Sequence, residues 1–341
     1  MKNYCLLGEN AVYHECGFSC DNVIFLRLNG DGFFVTDSRY TLEAQELVKN
    51  AFVVEGGRDL IKKAREIVRK SQVKKLIYDP SEWTVDKFER FSKSLHVNFL
   101  KNVNFSQNNR IIKNEDELLI LREAVSLGER AFDNFAAFVR ENGIGMSEKE
   151  LYFEAEKIFK DNGNLGLSFS PIVAINENAA KPHALPSDVK LKEGDLLLVD
   201  AGVLYKRYCS DRTRTAEVNK EMTFEKKQSF TCKNRQKVYD TVLRAQEAAI
   251  NGAKAGMLAC EIDALARNVI EKAGYGKEFI HSTGHGVGLD IHELPIISSR
   301  SKTVLETNMI FTVEPGIYLP NEFGVRIEDM VLVKEDGVEV L

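Results

Sequence analysis

The sequence predicts an α+β protein of two domains, and three observations carry that expectation. Its 341 residues are enough for two domains and at least one large core. Apolar runs of strand length come in pairs around turn signals, as in antiparallel hairpins. Between the pairs lie longer segments whose apolar residues recur at helical spacing. A polar, Asn-rich stretch, KNVNFSQNNRIIKNE (101–115), reads as a linker, so the expected domains are 1–110 and 111–341.

In the first domain, NVIFLRLNGDGFFVTDSRY sets two apolar runs around Asn29-Gly30-Asp31-Gly32, a hairpin signal. TLEAQELVKNA and RDLIKKAREIVRKS have helical spacing, and KKLIYDP is a short strand stopped by proline. A small α/β domain follows from that alternation. Beyond the linker, Leu118, Leu121, Val125, Phe132, Phe135 and Val139 mark one face of a long helix. Ser147 and Glu150 have the spacing of a capping box that opens the next helix. Further helices are expected over 233–252 and over EIDALARNVIEKAG, the latter ended by Gly274. DLLLVDAGV, RTRTAEV, MIFTVEPGIYL and VRIEDMVLVK read as strands.

Composition narrows the function classes. Hydrophobic content of 44% and charged content of 28% are those of an ordinary globular protein. A net charge of −5 argues against a nucleic-acid or anionic-membrane partner. No apolar stretch approaches the roughly 18–20 residues that span a bilayer. The start, MKNYCLLGENAVYHECG, lacks the pattern of a signal peptide. The six cysteines are scattered, with Cys16 and Cys20 the only close pair and no second pair to complete a zinc site. A cytoplasmic protein with free thiols is therefore expected.

The chemistry concentrates in two acid pairs. Asp200 ends an apolar run and Asp211 lies on the return strand; a hairpin turning between Tyr205 and Lys206 sets them opposite each other. Glu314 and Glu328 are likewise centred on Asn321, inside a Pro-Asn-Glu-Phe-Gly turn. Facing carboxylates at the ends of apolar strands repel unless a cation lies between them. HSTGHGVGLDIHE (281–293) holds three of the six histidines, and one of them completes a set of four carboxylates and one imidazole. Oxygen donors with one nitrogen suit Mn, Fe or Co better than a structural zinc site. Four carboxylates balance two divalent ions better than one.

The motifs VDAG, CSDRTRT, HSTGHGVGLDIHE, VEPGIY and VRIED, in that order, resemble those of the pitta-bread metallopeptidases, which include aminopeptidase P, prolidase, methionine aminopeptidase and creatinase. The likeness extends over essentially the whole chain, since GFFVTDSRY is similar to the amino-terminal domain of aminopeptidase P and prolidase. It implies a small α/β domain followed by a pitta-bread catalytic domain. It also implies two divalent ions, with Mn expected and Co, Fe or Zn as alternatives, held by Asp200, Asp211, His285, Glu314 and Glu328. By the same resemblance Glu314 also handles the proton of the attacking water, and His292 and His183 contact substrate. Arg326, two residues before Glu328, is placed to orient that carboxylate. The substrates implied are peptides with proline in second position, and a homodimer is expected. Aminopeptidase P is favoured over prolidase because Ile296 stands where prolidases often carry a carboxylate-binding arginine, with Arg300 a possible substitute. A catalytically silent binding module on the same fold is a third reading, disfavoured because all five ligand types are present.

The remaining candidates have plainer readings. His281 braces the glycine-rich turn, Cys209 packs as a small hydrophobe, and His14 and His96 are structural or at the surface.

Overall fold

Among the described residues, 2–341, the amino-terminal strands form one six-stranded mixed sheet. They are β1 (Tyr4–Leu6), β2 (Val23–Leu28), β3 (Asp31–Thr36), β4 (Phe52–Glu55), β5 (Lys75–Tyr78) and β6 (Asn98–Lys101), in the order β4-β3-β2-β1-β5-β6. The hairpin expected at Asn29-Gly30 joins β2 to β3, with Leu28 opposite Asp31. Both turn residues take positive φ, which asparagine and glycine tolerate. VIFLRL reads as an almost unbroken apolar run because helices cover both faces of β2. Ile24, Leu26 and Leu28 pack toward Leu60, Ala64, Val68 and Phe91, while Val23 and Phe25 pack toward Ala11, Val12, Ala44 and Phe105.

This computed structural model divides into two compact units, one ending at Arg110 and the other running Ile111–Leu341. The segment 101–115 is not an open linker. It carries the helix Phe105–Arg110, whose Phe105 and Arg110 are buried, before the unit boundary. Burial of Phe105 orders a stretch whose composition is that of a loop.

In the second unit, antiparallel strands are covered by helices on both faces. Leu196–Ala201 lies between Ile172–Ile175 and Arg212–Glu217. Its Leu197 and Val199 pack with the helices Glu115–Phe138 and Glu148–Phe159. Leu196 and Leu198 face the helices Lys233–Gly252 and Ala259–Lys272. A five-stranded sheet runs Glu293–Ile297, Gly284–Gly286, Ile310–Val313, Asp329–Val333, Val338–Val340, beside the hairpin Gly316–Leu319/Phe323–Arg326. The Ser147–Glu150 capping box forms as expected. A second one, Asn114 with Glu117, opens the long helix.

Candidate metal centre

The two acid hairpins fold differently from one another. In the second, Val313 pairs with Asp329 and Gly316 with Arg326, so the continuous register sets Glu314 across from Glu328 as the sequence predicts. In the first, the turn residues are Lys206 and Arg207, both at positive φ, and Tyr205 pairs with Tyr208. The register is thereby two residues away from the expected one. Thr213, not Asp211, stands opposite Asp200. Asp211 is the diagonal neighbour, two residues along, and so keeps the same face.

The hairpins meet back to back. The Glu328 N–H donates to the Thr213 carbonyl at 3.1 Å, and the Thr213 hydroxyl donates to Glu328 Oε2 at 2.6 Å. His285 comes from the short strand Gly284–Gly286, where a side chain at Gly284 would collide with the Thr312 carbonyl. That close approach lets Thr312 bind the His285 N–H at 3.2 Å and Glu314 at 3.4 Å. His285 Nδ1 donates to the Gly286 carbonyl, leaving Nε2 to face Asp211 and Glu314, 3.5 Å from an oxygen of each. Asp211, His285 and Glu328 each present a ligand atom within 4.8 Å of the others.

Burial sets the electrostatics of this cluster. Burial, together with the facing carboxylates, pushes Asp211 and Glu314 well above the usual carboxylate range. Burial and the charge of Asp200 push Glu328 up to about 8. Burial, reinforced by His292, holds His285 neutral down to about pH 4. Asp200 Oδ1 is buried and accepts no hydrogen bond among the described residues. Four carboxylates, one of them with an unpartnered oxygen, and a free imidazole lone pair lining one cavity are a donor set that fits divalent metal.

Arg326 does not hold Glu328 directly. Its Nη2 donates to Asp200 Oδ2 at 2.6 Å, its Nε to the Thr213 hydroxyl at 3.0 Å and its Nη1 to Tyr318 OH at 2.8 Å. It reaches Glu328 through Thr213, because the long side chain crosses to the neighbouring hairpin. Tyr318 OH in turn donates to His281 Nε2 at 2.8 Å, since His281 Nδ1 already donates to the Ser282 carbonyl. His281 is thus braced, as the sequence suggests, although it also borders the cavity.

The site opens into a cavity of about 820 Å³. His183 and His292 line it, and the His292 ring lies 4.3 Å from that of His285. Burial and the nearby His183 lower the His292 pKa. Ile296 also lines the cavity, whereas Arg300 is exposed and is not part of the wall. Cys209 is buried, and burial pushes its thiol up to about 12, in keeping with a packing role.

Thr213, Tyr318 and the fully buried Arg214 were not among the sequence candidates. Arg214 donates to Asp329 Oδ1 at 2.5 Å and to the Glu328 carbonyl. Two of the three lie inside CSDRTRT, so their only sequence signal was proximity to Asp211.

The family model described as metallopeptidase family M24 matches residues 120–335. A Xaa-Pro dipeptidase of Pyrococcus furiosus is 39% identical over 254 residues, 74% of this chain and 69% of that protein. The solved structure of a Xaa-Pro dipeptidase from Bacillus anthracis superposes with a TM-score of 0.90 at 34% identity, covering 99% of this chain and 92% of the other. That of an X-Pro aminopeptidase from Thermotoga maritima gives 0.87 at 32%, covering 100% and 95%.

Proposed function

Because the chain belongs to metallopeptidase family M24, with its pitta-bread catalytic fold, we propose that it is a Xaa-Pro aminopeptidase that releases the residue preceding a proline in second position. The observation that carries the reading is the convergence of Asp200, Asp211, His285, Glu314 and Glu328 in the lining of one cavity. Family membership implies divalent metal, and these five side chains are the proposed ligands of two ions, with Mn the expected species. When bound, the ions supply Lewis acidity toward the scissile carbonyl and lower the pKa of the attacking water.

The chain's own groups do the rest. Glu314 takes the proton of the attacking water on its carboxylate and returns it to the proline nitrogen as the bond breaks. His292 and His183, on the cavity wall, donate hydrogen bonds to the carbonyl oxygen as it gains charge. Arg326 fixes Asp200 and, through Thr213, Glu328. The free amine of the substrate meets the carboxylates, which limits the enzyme to N-terminal residues.

Aminopeptidase is preferred to dipeptidase because Arg326 is the only arginine or lysine among the described residues lining the cavity, and its donors are engaged. A dipeptide's terminal carboxylate finds no free guanidinium there. The dipeptidases among the similar proteins support the second reading, Xaa-Pro dipeptidase. A homodimer and a cytoplasmic location complete the proposal. No described helix is long and apolar enough to cross a membrane.

The test is hydrolysis of a Xaa-Pro dipeptide beside the matching Xaa-Pro-Xaa tripeptide, after reconstitution with Mn. Cleavage of the tripeptide before proline supports the aminopeptidase. Cleavage of the dipeptide alone establishes the second reading, and cleavage of neither favours a silent module.

A further inference from the structure

Lys113 precedes the helix Glu115–Phe138 and lies 180 residues before its ionic partner. Its Nζ sits 2.5 Å from Glu293 Oε1, and both side chains are 1% exposed. The Lys113 backbone is anchored too, its N–H donating to the Asn308 carbonyl at 2.9 Å beside the bridge between Ile112 and Met309. The lysine therefore enters the interior from a fixed point on the chain.

Glu293 is the first residue after the loop that joins His285 to His292. It pairs with Gly286, and the register shifts between His285 and Gly286. A side chain on Gly288 would lie 2.4 Å from Glu293 Oε1, so the loop wraps directly onto the carboxylate. The Asp290 N–H approaches the other oxygen at 3.4 Å, and the Gly288 carbonyl accepts the Cys209 N–H at 2.9 Å. The loop is held at its centre and at its exit, while the two imidazoles stand 4.3 Å apart at its ends.

We propose that Lys113 and Glu293 are positioning residues, a buried ionic pin that sets where His285 and His292 stand over the site. A dry ion pair is a poor source of stability, because apolar side chains of equal volume do as well or better. What it supplies here is a directional anchor directly beside His292. The inference rests on the peptidase reading for its kinetic consequence, but its effect on His285 is independent of turnover.

Glu293→Asp tests it, since the charge stays and the anchor retreats by one methylene. Misplacement on that scale lowers rates by about 10- to 100-fold when it disturbs reacting groups. The expected result is a kcat, per Mn-loaded molecule, at least ~10-fold below wild type, with the Kd for Mn raised at least ~3-fold in calorimetry. A merely structural pair would lower Tm and leave both quantities unchanged, and that result overturns the proposal. If Glu293→Asp does not fold, Lys113→Arg is subjected to the same comparison with the same two outcomes. A wild-type chain that binds Mn and cuts neither peptide refutes the peptidase reading, and the Kd comparison still decides the role of the pin.

Discussion

Replacing Thr213 by valine isolates the joint between the two acid hairpins. The substitution keeps the β-branched shape and removes one hydroxyl, which donates to Glu328 Oε2 at 2.6 Å and accepts from Arg326 Nε at 3.0 Å. A hydrogen bond to a charged group contributes about 1.5–3 kcal/mol. At about 1.4 kcal/mol per factor of ten, the lost bond to Glu328 corresponds to roughly 10- to 100-fold in metal affinity. The direction with pH also follows. The hydroxyl favours the ionised Glu328, so its removal raises the carboxyl further and moves Mn binding to higher pH. Titration calorimetry with Mn across pH 6 to 9 measures both effects, and Thr213→Ser should restore wild-type behaviour. Unchanged affinity and pH dependence in Thr213→Val would refute the view that Glu328 is held through this hydroxyl.

Two further outcomes are expected. Glu314→Ala should lose about 10²- to 10⁴-fold in kcat while keeping the fold, measured by tripeptide hydrolysis and circular dichroism; near-normal turnover would remove Glu314 as the proton carrier. Above about pH 7, where the histidines are neutral in both states, the metal-free protein should become less stable as pH rises. Glu328, raised from 4.5 to about 8, keeps a proton in the folded state that the unfolded chain has already released, so its contribution falls between those values, and Asp211 and Glu314 act in the same direction. Thermal melts of the metal-free protein should show Tm falling from pH 7 to pH 8, above the range in which the neutral buried His281, His285 and His292 contribute in the opposite sense, and added Mn should raise it more at pH 8. A Tm that rises over that range without metal would contradict the assignment.

How much of this could be read from sequence differs between the hairpins. Asn321 sits in a turn rich in proline and glycine, so the centre of the second hairpin was visible and Glu314 falls across from Glu328. The first turn uses Lys206 and Arg207 at positive φ, where Asn or Gly is the usual signal, and the expected centre missed by one residue position. That miss doubles in the register and puts Thr213 where Asp211 was expected. Helices were legible from apolar spacing over 115–138 and from a capping-box signal at the start of 148–159. The helix Phe105–Arg110 is too short to show periodicity, and burial rather than pattern orders it. Arg326 shows a different limit. Strand alternation gives its face, but only the crossing of two hairpins reveals that its partners are Asp200, Thr213 and Tyr318.

The interlocking of those hairpins has a consequence for how the protein is made. Asp200 and Asp211 leave the ribosome long before Glu314 and Glu328, and the bonds that join the two pairs, Thr213 to Glu328 and Thr215 to Arg326, span more than a hundred residues. Contacts of such long sequence separation form late, after local helices and hairpins. During synthesis, then, the nascent chain has no complete pocket in which to trap an ion from the cell. With the proposed ligands, ion capture would be the closing event of folding, and retained metal would report that the unit Ile111–Leu341 has been assembled.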